Sequence, residues 1–168
     1  LTFLLLSFCF LTAQAQRKLH FGLGVNYTLP IERYTAGETR FGLYINGTYR
    51  LADRIDVGLT ASLDEPSYVV HEPDGTSLCY DAHALSFVAN ANYIFPLKTP
   101  KVLPFVGMGL GLSFDNIKDG VFSDGHKLHP VAVPMAGVRF FKHLDLTARY
   151  YITDKKFDRL TLSLGYTF

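Results

Sequence analysis

Along most of its length the chain alternates apolar and polar side chains with a period of two, which is typical of β-strands that hide one face. The pattern is cleanest in the last ten residues, where every second side chain is apolar: Leu160, Leu162, Leu164, Tyr166 and Phe168. The opposite face carries an arginine, hydroxyl residues and a glycine. These residues therefore predict a strand with one oily and one polar face that ends on an aromatic.

Seven earlier segments show the same alternation, which gives eight predicted strands: residues 19–29, 40–51, 55–64, 83–95, 102–113, 130–141, 144–153 and 159–168. The connections after the second, fourth and sixth strands are short, whereas those after the first, third and fifth are long. In an antiparallel arrangement all short turns then lie at one rim. No segment long enough to form a helix has apolar residues at helical spacing. We therefore predict an all-β domain, a closed eight-stranded antiparallel up-and-down barrel.

Alternation leaves open whether the oily face lines a soluble lipocalin-like core or points outward into lipid. Two observations favour lipid. No Lys or Glu lies within the predicted strands, and their polar face is mainly Gly, Ser, Thr and Asn, which suits a cramped interior. The oily face is also aromatic near the short-turn rim, as bilayer interfaces favour. The predicted aromatic girdle there consists of Phe21, Tyr49, Tyr93, Phe95 and Phe140.

Charged residues on the polar face would then lie inside the barrel. These are Arg40, Arg50, Asp56, Asp64, Arg139, Asp145, Arg149 and Arg159. An unpaired buried charge is costly, so we expect Arg–Asp pairs across the strands. Eight strands leave room for side chains and little more. The sequence therefore predicts a lumen filled by a charge network, with a narrow channel for small solutes or ions as the alternative.

The start of the chain reads as a secretory signal peptide. Residues 1–11 are largely apolar, and Ala13-Gln14-Ala15 is a small-x-small cleavage pattern. The charged region and initiator Met of such peptides are missing, so residues 1–15 are interpreted as a clipped signal peptide and 16–168 as the barrel domain. The net charge of +1 gives no case for a nucleic-acid partner.

With these features in place, the chain resembles the small outer-membrane β-barrels of Gram-negative bacteria, such as the OmpA-like transmembrane domain, OmpX and PorT-like barrels. The resemblance is carried by the closing segment Leu160-x-Leu-x-Leu-x-Tyr-x-Phe168 and by Phe105-Val-Gly-Met-Gly-Leu-Gly111, which is similar to a glycine-rich fifth strand. It implies residence in the outer membrane and contact with its lipid and lipopolysaccharide. It also implies that Leu160–Phe168 is the assembly signal read by the barrel-assembly machinery.

The long loops hold the remaining candidates for chemistry. Possible metal ligands there are His71, Cys79, Asp81, His83, His126 and His129, but none has a short ligand spacing, so we expect no metal or cofactor. A lipid-modifying enzyme would need Ser67 or Ser77 beside His71 or His83 and Asp81. The leading expectation is a non-enzymatic protein with a structural or loop-mediated recognition role, through residues 30–39, 65–82 and 114–129.

Overall fold

The computed structural model describes residues 18–30, 35–36, 41–65, 67–71, 76–97, 101–118, 125–153 and 158–168. They form ten strands: β1 (Leu19–Pro30), β2 (Thr35–Ala36), β3 (Phe41–Ala52), β4 (Ile55–Asp64), β5 (Ser67–His71), β6 (Ser77–Ile94), β7 (Val102–Lys118), β8 (Gly125–Phe140), β9 (Leu144–Tyr151) and β10 (Arg159–Thr167). No helix long and apolar enough to cross a membrane occurs within these ranges. The predicted signal peptide, residues 1–15, lies outside them.

Eight of the strands close into a barrel. Its order is β1, β3, β4, β6, β7, β8, β9 and β10, with every neighbouring pair antiparallel. The last strand pairs with the first from Gly22↔Thr167 to Pro30↔Arg159, so no barrel edge is left open there. The predicted fold class is confirmed. The bounds of β4 are the predicted ones, and the other barrel strands differ in one end or both.

Most polar side chains of the barrel strands face the lumen and most apolar ones face outward. In β10, Arg159, Thr161 and Ser163 are fully buried, whereas Leu162 and Leu164 are 41% and 47% exposed. The same inversion holds in β3, where Tyr44 is buried and Phe41 is 72% exposed. A soluble barrel would hide the leucines, so this is the sidedness that lipid requires.

The structure contradicts the prediction of two long loops at residues 65–82 and 114–129. Strand β5 forms a hairpin with β6, with Ser67 opposite Asp81, and β2 pairs with the outer edge of β5. Strand β7 continues to Lys118, and β8 already begins at Gly125. Lys118 and Lys127 therefore lie in strands, contrary to the expectation that the strands contain no lysine. These extensions lie beyond the apolar band, where lipid imposes no alternation, so the sequence pattern missed them.

The outer face of β6, β7 and β8 changes from apolar to polar residues between two successive rows. Leu85, Phe114 and Leu128 lie side by side on β6, β7 and β8. The next row outward along the same face places Asn116 between two histidines, His83 and His126. This change marks the end of the apolar band. We call the part beyond it the rim sheet: β2, β5, residues 77–83 of β6, residues 116–118 of β7 and residues 125–126 of β8.

Strand β8 departs from regular pairing around Pro134. On one side Pro134 lies opposite Met108 in an unbroken ladder with β7. On the other side the ladder with β9 stops at Met135 and resumes only at an isolated bridge from Ala132 to Ile152. Proline has no N–H to donate, which explains the gap. Phe141, predicted on the inner face of this strand, lies instead in the following turn, exposed and with φ of 52°.

Candidate functional site

The lumen near the short-turn rim is spanned by a chain of Arg–Asp pairs. Arg50 donates to Asp56 on the neighbouring strand. Arg139 binds Asp145 with an Nε–Oδ1 distance of 2.7 Å and reaches across the barrel to Asp56 at 3.5 Å. The hydroxyl of Thr167 also donates to Asp145. The four charges link β3 and β4 to β8 and β9, so they tie opposite walls of the barrel together.

Nearer the other rim, one fully buried guanidinium gathers groups from four other strands. Arg159 on β10 lies 3.8 Å from Asp64 and 3.7 Å from Asp115. Its Nη2 donates to the hydroxyl oxygen of Ser86 at 2.7 Å and to that of Ser113 at 3.3 Å. The guanidinium also stacks on the ring of Tyr151, 4.4 Å from its centroid. This layer holds two carboxylates for one arginine.

A directional hydrogen-bond chain runs from Arg149 to the layer around Arg159. Arg149 has no carboxylate partner in the described part of the chain, contrary to the expected Arg–Asp pairing. It lies over the ring of Tyr44, at 4.5 Å, and donates to the hydroxyl of Ser163. Ser163 donates to Asn26 Oδ1 at 2.7 Å, and Asn26 donates through Nδ2 to Asp64 at 2.8 Å. The chain therefore runs from an unpaired cation to the layer with one excess anion, and such aligned bonds strengthen one another.

Part of the lumen is apolar, which the sequence analysis did not anticipate. Val88, Val131, Val133, Met135 and Tyr151 form a buried cluster between the strands. Strand β8 contributes three of these side chains, and its outward positions hold Pro130, Ala132 and Pro134. Because this segment is apolar on both faces, alternation could not assign its inner side. The described lumen is therefore plugged by packing as well as by charge.

Little free volume remains inside. A cavity lined by Tyr44, Asn92, Arg139 and Arg149, among others, has a volume of about 20 Å³. That is enough for about one water molecule, which needs at least ~10–15 Å³.

The structure places the other predicted residues as follows. Phe21, Tyr49, Tyr93 and Phe95 of the girdle lie exposed on the outer wall, and Phe140 is half-buried. In the closing segment Tyr166 and Phe168 contact edge to face at 5.0 Å, and His143 stacks on Tyr166 at 5.4 Å. Arg40 lies outside the described residues. The function of the closing segment as an assembly signal stays a prediction.

Sequence reasoning missed Asp115, although it is one of the two carboxylates beside Arg159. The prediction ended the fifth strand at Ser113 and placed Asp115 in a loop. The signal was present, because Asp115 continues the inward set of Gly107, Gly109, Gly111 and Ser113 at a spacing of two. With it, the described lumen contains four arginines and four aspartates, the other seven being Arg50, Asp56, Asp64, Arg139, Asp145, Arg149 and Arg159.

The candidates for metal binding or catalysis lie mainly in the rim sheet. Strand register puts Ser67 opposite Asp81 and His71 opposite Ser77. His83 contacts Glu65 at 3.3 Å. Within the described residues no group of three or more His, Cys, Asp or Glu side chains could hold a metal ion. The register brings the Ser, His and Asp candidates onto one hairpin without defining a catalytic geometry.

The comparisons with known proteins agree with this architecture. The family described as outer membrane protein beta-barrel domain matches residues 1–168. The chain belongs to this family. The protein is therefore a resident of the bacterial outer membrane, and the soluble lipocalin-like alternative is wrong. By the usual orientation of such barrels the short turns face the periplasm and the rim sheet is extracellular. No curated protein matches the chain in sequence.

Solved structures share the fold at low sequence identity. Neisserial surface protein A (NspA) is 20% identical with a TM-score of 0.62, over 89% of this chain and 95% of that one. Ail of Yersinia pestis, in complex with the heparin analogue sucrose octasulfate, is 16% identical with a TM-score of 0.58, over 90% and 98%. OprG from Pseudomonas aeruginosa is 13% identical with a TM-score of 0.62, over 90% and 95%. These likenesses concern the fold alone.

Proposed function

We propose that this protein is a non-enzymatic outer-membrane barrel that acts by recognition through its extracellular rim sheet. The observation that carries the proposal is the length of β6, β7 and β8, which are 18, 17 and 16 residues long, with β6 continuing six residues past the polar row at His83. Spanning strands need only ~9–11 residues. The additional length serves no spanning role, and it presents an ordered surface on a rigid base.

The filled lumen supports recognition over transport. Buried charges that are paired and hydrogen-bonded, such as Arg139 with Asp145 and Arg159 with Ser86, hold the walls together across the lumen, which argues against an aqueous path. Reconstituted protein should therefore give no stable conductance in planar bilayers. Steady openings whose ion preference reverses when Arg50 or Arg149 is replaced by glutamate would favour the narrow channel instead.

The charge of the extracellular segments indicates the class of partner. Residues 31–40, 65–83, 116–127 and 153–158 contain ten acidic and six basic residues. An acidic surface steers cationic partners toward it and repels anionic ones. Ail was solved with a heparin analogue, which is strongly anionic. The charge balance here favours a cationic partner or one bridged by divalent cations, such as lipopolysaccharide.

Binding of charged probes to protein in zwitterionic nanodiscs tests the proposal. We expect polylysine to bind with an affinity that falls with salt, and heparin not to bind. The variant E72Q/D74N/D81N, in the β5–β6 hairpin, should weaken polylysine binding, whereas K118Q/K127Q on the neighbouring strands should not. Equal polylysine binding by all three proteins, or binding of heparin, would contradict recognition by an acidic rim sheet. Turnover of a lipid substrate that is lost on His83→Ala would contradict the non-enzymatic role.

A further inference from the structure

An apolar groove runs along the outer wall of the barrel across five neighbouring strands, β1, β3, β4, β6 and β7. Its volume is about 800 Å³, within the range of roughly 300–1,000 Å³ that small-molecule sites occupy. Large outward side chains form its walls, among them Phe87 and Leu110, and Phe21 and Phe168 lie at its periplasmic end. The groove therefore opens toward membrane lipid.

Small residues form the floor of the groove. Across the strands, one row alternates in size from Phe21 to Gly47, Leu59, Ala89 and Leu110. A Cβ atom on Gly47 would make only ordinary van der Waals contact with the Phe21 ring, at 3.6 Å, so a side chain could be added there without a clash. Apolar atoms that face a void lose their dispersion contacts. An acyl chain that occupied this depression would restore those contacts.

The periplasmic rim beside the groove carries unpaired positive charge. Lys18 precedes β1, Arg54 lies in the β3–β4 turn and Lys101 precedes β7, so all three adjoin strands of the groove. They are exposed, and none forms an ion pair within the described part of the chain. The segments at this rim, residues 17–18, 52–54, 95–101 and 141–143, contain six basic residues and one acidic residue.

We propose that the outer wall binds one anionic phospholipid of the periplasmic leaflet. Lys18 and Arg54 hold the phosphate, and one acyl chain occupies the groove. Phe21 follows Lys18 by three residues, about 10 Å along β1 at ~3.3 Å per residue. The cations thus lie at headgroup depth directly beyond the periplasmic end of the apolar groove. Because the rim is positively charged, it favours an anionic headgroup over a zwitterionic one on a lipid of the same chain length.

Native mass spectrometry of the purified protein tests the groove. The probes are phosphatidylglycerol and phosphatidylcholine with identical acyl chains. We expect wild type to retain one phosphatidylglycerol and G47L/A89L, which fills the groove floor, to lose the bound peak. The matched control is A136L, because Ala136 is an exposed outward residue on β8, away from the groove. Heat-modifiable gel migration verifies that each variant is folded, and A89L alone replaces the double variant if it is not.

The same lipid-retention measurement on K18Q/R54Q tests the role of the positive charges. The control is K142Q, since Lys142 lies in the β8–β9 turn on the far side of the barrel. Each cation near an anionic surface is worth about fivefold in binding, so the preference for phosphatidylglycerol should fall by up to ~thirtyfold in K18Q/R54Q. K142Q should keep it.

Three results would overturn the proposal. One is equal retention of both lipids by wild type, and another is equal retention by G47L/A89L and A136L. The third is a wild-type dimer peak that G47L/A89L abolishes, which would make a second copy of the chain the occupant of the groove.

Discussion

Replacing Arg159 by alanine perturbs the packed lumen at its most connected point. The side chain is fully buried, and the variant leaves Asp64 and Asp115, 0% and 4% exposed, without their cation. Removing one partner of a buried ion pair destabilises by about 3–5 kcal/mol. The hydroxyls of Ser86 and Ser113 also lose their donor, at a further cost of about 1 kcal/mol each. We therefore expect the free energy of unfolding to fall by about 5–7 kcal/mol.

Urea unfolding in detergent micelles measures this change. The chain contains no tryptophan, so far-ultraviolet circular dichroism is the signal, with heat-modifiable gel migration as an independent report of the closed barrel. A lower midpoint at an unchanged slope would show that stability, and not the extent of unfolding, has changed. The surface variant K142A should stay within about 0.5 kcal/mol of wild type.

A second variant separates charge from packing. R159M/D64N/D115N removes the arginine and both carboxylates together while keeping similar side-chain sizes. Neutral replacement of a whole buried ion cluster is often close to neutral. The triple variant should therefore recover most of the stability that R159A loses. If R159A unfolds at the midpoint of K142A, or if the triple variant is as unstable as R159A, the ion cluster does not hold the barrel together.

Two further predictions concern single positions. Gly165→Ala should destabilise the barrel by about 1–3 kcal/mol, because its Cβ would lie 2.0 Å from the hydroxyl of Tyr44; Gly47→Ala, with 3.6 Å to its nearest neighbour, should be close to neutral in the same urea titration. Phe168→Ala should lower the amount of barrel in the outer membrane of cells while leaving refolding into micelles unchanged. Phe141→Ala is its control, since the two rings are 65% and 66% exposed near the same rim, and equal losses in both would contradict an assembly signal at Phe168.

The membrane-embedded part of the fold was predictable because lipid imposes one rule on every strand. Each outward position between the rims must be apolar, and each backbone group must pair. Apolar and polar residues therefore alternate along the whole membrane-spanning part of each strand. Strand β4 shows this best, since both predicted ends, Ile55 and Asp64, are the observed ones. The inward charges were predictable for the same reason. No side chain as polar as Arg149 or Arg159 can face hydrocarbon at moderate cost.

The rim sheet and the contacts inside the lumen could not be predicted, because lipid does not constrain the residues in those places. Beyond the row of Leu85 and Phe114 the strands leave the apolar band, so lipid no longer dictates an alternation there. Inside the lumen, neighbours fix each residue through contacts that are distant in sequence. Asn26, for example, joins Ser163 to Asp64 across 137 and 38 residues. A periodic pattern in the sequence cannot predict such a long-range contact.

The distribution of charge connects these features to function. The described lumen balances four arginines against four aspartates, so the net charge of the protein resides at its two ends. The periplasmic rim is basic and the extracellular segments are acidic, and the overall charge of +1 conceals this polarity. Buried pairs contribute stability only while both members are present, whereas exposed charges remain available to bind partners. A barrel arranged in this way presents two chemically different rims, a basic one and an acidic one.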